Sequence, residues 1–266
     1  MNFPQLVSND GNLNSYCNFI EYTCFVNGEM YHNEFDMEDG PSLADIIQEL
    51  ERRLALYGDF IPYKLERNRV ESLLSDKANS LHYYYCLYYA VKGGVSTSSA
   101  TNIFELITDS SLKNYFCTDQ SEITSIGQNT TNLLSCIESI KDKLGESKGN
   151  FEHLSIKAKD GGIDIITYKP IDSRGNQIVC LTDATIGRNW NSQKKVYSKL
   201  KPWKQFIHFK VDPITCLSVV HIIDDAQFHG ASNDNGLLFD RARIMRFFTP
   251  QTDITTSLNN WLSTLA

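Results

Sequence analysis

The stretch 157–190, KAKDGGIDIITYKPIDSRGNQIVCLTDATIGRNW, constrains this chain more than any other. Two apolar runs, 163–168 and 177–181, flank a loop of turn formers at 169–176 (Lys-Pro-Ile-Asp-Ser-Arg-Gly-Asn). Ile, Val and Thr favour the pleated sheet, and Pro, Asp, Ser, Gly and Asn favour the connection, so the spacing predicts a β-hairpin. Asp164 falls near the start of the first strand and Asp183 at the end of the second. Antiparallel pairing brings one strand's start beside its partner's end, so two carboxylates 19 positions apart can meet at one end of a sheet. A hard divalent cation such as Mg²⁺ takes carboxylate and water oxygens, and there it could polarise a phosphodiester and activate water. The competing reading is two solvent-facing strand-end aspartates.

The rest of the chain sets this hairpin among helices. Apolar spacing predicts a helix over 14–26 stopped at Asn27-Gly28, and another over 42–56 capped by Ser42 with Asp45 three positions on. Pro62 breaks an extended piece, a short helix is expected over 67–74, and a tyrosine-rich one over 75–91. An aromatic cluster can stack bases, but within a helix it reads better as packing. Gly93-Gly94 marks a candidate boundary. Helices are expected over 100–116, carrying Glu105, and over 131–144, with a polar linker at 145–150. After the hairpin come a basic helix over 190–200 halted by Pro202, strands at 205–211 and 217–223, and a loop at 229–236. An apolar-basic element at 237–248 and a final helix at 254–265 end the chain. The expected class is α/β: a central mixed sheet flanked by helices over 96–266, preceded by a mainly helical region, 1–95.

Composition narrows the setting. Hydrophobic content of 41% and charged content of 21% suit a globular chain with a substantial core. The densest apolar run, 83–91, is far short of a membrane span of about 20 residues, and the first ten residues do not read as a signal peptide. The seven cysteines are scattered, with no CxxC pair, which argues against a disulfide scaffold or zinc site and for a reducing cytoplasm. His208 and His221, in apolar runs, read as structural. There is no Walker motif. The net charge of −7 disfavours indiscriminate nucleic-acid binding, but it is uneven. Residues 151–210 hold 11 Lys or Arg against 5 Asp or Glu, a local +6, leaving −13 for the remainder. Three of those five acids are Asp160, Asp164 and Asp183. A basic face around a small acidic cluster suits a metal-dependent enzyme acting on a polyanion; a solvated lysine-rich helix would give the same count.

In this order of elements the chain resembles the PD-(D/E)XK, or restriction-endonuclease-like, nucleases, whose core runs helix, three strands, helix, strand. The resemblance maps the first-helix acid to Glu105 in NIFEL, the second-strand aspartate to Asp164 in KDGGID with Asp160 nearby, and the third-strand acid to Asp183 in LTDATIG. It is closer to a bacterial, defence-associated group with a KDxGxD strand, a QCATGxxW-like segment followed by a lysine, and a late LFDRxRI segment. The counterparts here are residues 159–164, 183–190, Lys194 and 238–244. The similarity covers 98–247 and is much weaker over 13–92.

The resemblance implies a metal-dependent nuclease that hydrolyses DNA, in bacterial anti-phage defence. Asp164, Asp183 and Glu105 would hold Mg²⁺ or Mn²⁺, and Arg188, Lys194, Lys195 and Lys199 would contact DNA phosphates. One departure stands out: Thr185 occupies the position of the usual lysine, so Lys194 or Lys169 would have to supply the charge. Trp190, Asp240, Arg241 and Arg243 read as packing and ion-pair residues, and Asp160 as a turn residue. The acidic N-terminal region would contact a protein partner of the defence system. Two other readings stay open: a catalytically inactive nuclease fold that binds DNA or a protein, and an unrelated helical and α/β interaction protein whose acidic remainder binds a basic partner.

Overall fold

The computed structural model describes residues 12–34, 40–74, 76–93, 98–124, 133–150, 162–193 and 195–265. The N-terminal region comprises α1 (Leu13–Asn27), β1 (Glu29–Tyr31), a 3-10 turn, α2 (Leu43–Tyr57), β2 (Tyr63–Leu65), β3 (Arg69–Ser72) and α3 (Leu81–Lys92). Then follow α4 (Ser98–Phe116), β4 (Ser121–Ile123), α5 (Leu133–Leu144), β5 (Ser147–Lys148), β6 (Ile165–Lys169) and β7 (Ile178–Thr185). The chain continues through α6 (Trp190–Gln193), α7 (Val196–Phe206), β8 (Ile207–His208), β9 (Ile214–Val219), α8 (Asp225–Asn235), β10 (Leu237–Phe239), α9 (Arg241–Phe247) and α10 (Thr252–Ser263).

Five strands form the central sheet in the order β10-β9-β7-β6-β4. β6 runs antiparallel to both neighbours, and β7, β9 and β10 are parallel. The expected hairpin is present, with Ile165 opposite Thr182 and Lys169 opposite Ile178. Side chains alternate between two apolar layers, as the pleat requires. Cys180, Ala184, Cys216 and Ile165 join Phe104 and Ile107 of α4 on one face. Val179, Leu181, Leu217 and Ile166 join Ile140 of α5 and Val196 and Trp203 of α7 on the other. A hydroxyl bridge between Thr108 and Ser218 (2.9 Å) pins α4 to its face.

The first of these layers also contains Cys17, Tyr57, Tyr85 and Trp261, so the N-terminal helices share a core with the sheet. Every residue of α3 from Leu81 to Val91 is buried. Its tyrosines are core, in line with the packing expected of an aromatic cluster within a helix. A polar cluster is buried at the same junction. Arg53 donates to Glu21 (2.7 Å) and Asn18 (3.0 Å), and Arg241 to Asn18 (2.9 Å), Tyr57 (2.9 Å) and Glu21 (3.3 Å). The hydroxyls of Tyr57 and Tyr83 donate to the same Glu21 carboxylate. Arg241 thus has the structural role expected of it, with Glu21 as partner. Asp240 instead caps α9, accepting the Arg243 and Ile223 amides, while Arg243 donates to Leu238 and lies 4.7 Å over the Phe228 ring.

Several expectations change. The strand expected at 205–211 is reduced to β8, Ile207–His208, because residues 205–206 belong to α7. Residues 69–72 form the middle strand of a small sheet, β1-β3-β2, instead of a helix. Val70 is buried beneath it while Arg69, Glu71, Glu29 and Lys64 pair on the outer side, an alternation of period two in residues that also suit helices. Pro202 does not halt α7, which reaches Phe206. A proline inside a helix costs about 3 kcal/mol, and burying Trp203 and Phe206, each worth about 1.5–3 kcal/mol, offsets it. Residues 225–235 form a helix where a loop was expected: Asp224 caps it through the Gln227 amide (2.8 Å), and Ala231 and Asn235 bury one side. The 237–248 element divides into β10 and α9 at the Asp240 cap. Among the described residues no helix is long and apolar enough to cross a membrane.

Candidate functional site at the end of the hairpin

The two aspartates come to the same end of the sheet. One step beyond the Ile165–Thr182 pair, the Asp164 amide donates to the Thr182 carbonyl (2.8 Å). Its carboxylate then accepts the amide of Ala184 (2.8 Å). Asp164 and Ile165 both address Thr182, the count of a β-bulge, a device that re-aims a side chain at a strand end. The two bonds bracket Asp183, so Asp164 holds β7 by its backbone on either side of the second carboxylate.

Asp183 alternates with Leu181 and therefore projects toward α7. It is 1% exposed. The ammonium of Lys199, on α7, donates to its Oδ2 and to the carbonyl of Gly162. A carboxylate this deep is costly without a counter-charge, and Lys199 supplies it. Lys199 was expected to contact DNA phosphates; in this structure its amine lies against Asp183. Residue 185 is a threonine whose hydroxyl accepts the Gly187 amide (3.2 Å) and shapes the turn after β7. Residues 183 and 185 share a face of the strand. The positive charge on that face comes from Lys199 of α7.

Gly162 makes room for this amine. Gly162 sits at φ +75°, and a β-carbon on it would stand 2.8 Å from Lys199 Cε and 3.0 Å from Nζ. Gly162→Ala is therefore expected to cost about 1–3 kcal/mol, from the positive φ and from crowding the lysine. Urea unfolding of the variant against wild type measures it; an unchanged midpoint would mean that the lysine stem yields freely.

Glu105 is buried on α4. The far end of that helix is tied to the far end of β6 by the Thr118 hydroxyl donating to the Tyr168 carbonyl (2.9 Å). Glu105 is carried by α4, which packs on the sheet face opposite that of Asp183. Among the described residues no three His, Cys, Asp or Glu side chains converge to hold a metal ion. The oxygen cradle that exists is Asp183 with the Gly162 carbonyl, beside Asp164.

The remaining candidates are dispersed. Arg188 lies across Gly93 and donates to the Val91 carbonyl (2.7 Å) at the end of α3, bracing the turn after β7 against the N-terminal region. Lys195 is exposed, 3.5 Å from Asp234. Lys169 ends β6 at the hairpin-loop side, away from Asp183. Trp190 is packed in the core, as expected. Asp160 and Lys194 lie outside the described residues. His221, just past β9, is buried beside the Gly187 backbone; burial and then the Arg241 charge push it down to about 4, so it is neutral at pH 7.

One signal for Lys199 was present in the sequence. Val196, Lys199 and Trp203 are spaced i, i+3, i+7, one helical stripe, and a lysine within an apolar stripe demands a buried acid. Comparison with protein-family models, curated proteins and solved structures finds no match to this chain.

Proposed function

We propose that the chain is a restriction-endonuclease-like, metal-dependent nuclease that hydrolyses DNA phosphodiester bonds. The observation that carries this reading is the triad at the end of the hairpin: Asp164 and Asp183 on adjacent antiparallel strands, with the Lys199 ammonium on Asp183. The central-sheet elements support it: α4 precedes β4, β6 and β7, and α7 precedes β9, with α5 and β5 inserted between β4 and β6, α6 before α7 and β8 before β9. The edge strand β4, paired with β6, supplies the first strand of that series.

The residues present fit a hard divalent cation in part. Carboxylate and carbonyl oxygens are the donors Mg²⁺ or Mn²⁺ takes, and such ions complete their shell with water and substrate phosphate. The cradle already accepts one cation, the lysine ammonium. Asp183 and Asp164 would hold the metal, which would supply Lewis-acid polarisation of the phosphate and a water of lowered pKa. Lys199 would stabilise charge developing on the phosphate. Lys195 and other lysines of the basic segment would position the DNA backbone without reading its sequence. By the resemblance, the setting we propose is cytoplasmic, in bacterial anti-phage defence, with the acidic N-terminal region facing a partner protein.

A second reading, an inactive nuclease fold kept for binding, is favoured by the absence of three converging metal-binding side chains among the described residues. Cleavage of plasmid and linear DNA with Mg²⁺ or Mn²⁺ separates the two. Wild type is expected to cut only with metal, and Asp164→Ala and Asp183→Ala to lose at least about 10²-fold in rate, the scale of removing one electrostatic element of an active site. Binding without cleavage in either metal would favour the second reading.

A further inference from the structure

We infer that Lys199 is a built-in cation that closes the metal cradle, so that a divalent ion and the lysine ammonium compete for Asp183. The inference rests on the nuclease reading and goes beyond it, because it concerns how the metal enters.

Three features of the site point this way. The ammonium takes a carboxylate oxygen of Asp183 and the carbonyl oxygen of Gly162, donors that also suit a hard divalent ion. The approach is specifically accommodated, since any β-carbon at position 162 would crowd the lysine stem. The carboxylate is 1% exposed but the lysine side chain is 22% exposed, so the lysine forms the solvent-facing side of the pair. An ammonium and a divalent ion at the same carboxylate oxygen repel each other at close range, where Coulomb energies are large. Metal entry at Asp183 therefore displaces the amine, and a flexible four-carbon stem lets it swing while its backbone stays on α7. The displaced amine becomes available to an anionic ligand, such as a phosphate, arriving with the metal.

The test uses the full chain and reads metal binding rather than cleavage. Free Mn²⁺ is followed by electron paramagnetic resonance during titration of wild type, Lys199→Met and Asp183→Asn, each checked for folding by circular dichroism. In parallel, acetylation of Lys199 in the wild type is followed by mass spectrometry with and without Mn²⁺, a readout that survives a misfolded variant. Lys199→Met is expected to bind Mn²⁺ about tenfold more tightly than wild type, the usual scale of coupling between two competing events. Asp183→Asn is expected to bind it poorly, and Mn²⁺ is expected to expose Lys199 to acetylation. Equal affinity in Lys199→Met and wild type, with Lys199 acetylation unchanged by metal and binding still lost in Asp183→Asn, would overturn the competition and leave the metal site standing. No Mn²⁺ binding in any of the three proteins would overturn the nuclease reading and the competition together.

Discussion

Replacing Glu21 by alanine is expected to destabilise the fold by about 3–5 kcal/mol, the cost of breaking a buried ion pair and leaving its partner charged. Glu21 is the one carboxylate that Arg53 and Arg241 share, and both guanidiniums are fully buried. Arg53 would keep Glu49 (2.8 Å), but Arg241 would lose its only carboxylate partner among the described residues, and Tyr57 and Tyr83 would lose their acceptor. Glu21→Gln should cost less, because an amide oxygen still accepts from the tyrosines. Urea unfolding at pH 7, followed by tryptophan fluorescence, measures both; a loss below about 1 kcal/mol for alanine would show that the cluster relaxes on its own.

The same group sets an acid limit. Burial alone would raise the Glu21 pKa, but the Arg241 and Arg53 charges, with hydrogen bonds from Tyr83 and Arg53, outweigh it and hold the carboxyl below its ordinary value of 4.5. A carboxylate depressed in the folded state contributes stability that is fully present above the unfolded pKa. That contribution is lost as pH falls from near 4.5 through the lowered folded value. In Glu21→Gln this part of the acid dependence should vanish. Because α1, α2, α3 and α9 all supply members of the cluster, the loss should appear as one cooperative transition rather than as release of the N-terminal helices alone.

The hairpin and its aspartates were legible because they depend on local rules. Turn chemistry fixed the loop, and alternation fixed the strands. Antiparallel pairing brought residues 164 and 183 to one end. Elements whose stability comes from elsewhere were not legible. β4 is three residues, Ser-Glu-Ile, with no internal pattern, and it exists because β6 offers an edge. Helix α8 is built from Asp, Asn, Gly and Ser, poor helix formers. It is held by its Asp224 cap and by Asn235, whose side-chain oxygen takes the first amide of α7, that of Val196 (2.9 Å). The site followed the same division. The strand acids could be placed from spacing, whereas the stripe on α7 asks only for some buried acid, and which acid it meets is set by tertiary packing of Val196 and Trp203 against the sheet. The pairing of Lys199 with Asp183 is therefore a property of the packed molecule.

Removing Lys199 should cost more stability than neutralising Asp183, although both changes break the same contact. Lys199→Met leaves an anionic carboxylate 1% exposed without the ammonium that pairs with it among the described residues. Breaking a fully buried pair costs about 3–5 kcal/mol; the lysine is partly open to water, so about 2–3 kcal/mol is expected. Asp183→Asn removes the buried charge instead, and the lysine can carry its ammonium outward along its stem, as long cationic side chains do. About 1 kcal/mol is expected there, the worth of an ordinary hydrogen bond. The double variant should recover part of the Lys199→Met loss, because neither charge then remains, and a double-mutant cycle in urea isolates that coupling. Equal losses in the two single variants would mean that water reaches Asp183 without the lysine. The asymmetry also bears on function. Asp183→Asn, close to wild type in stability, is a fair test of chemistry: if it folds and fails to cut DNA, the loss belongs to the site. A cleavage defect in Lys199→Met can be assigned to the site only after its larger stability loss has been subtracted.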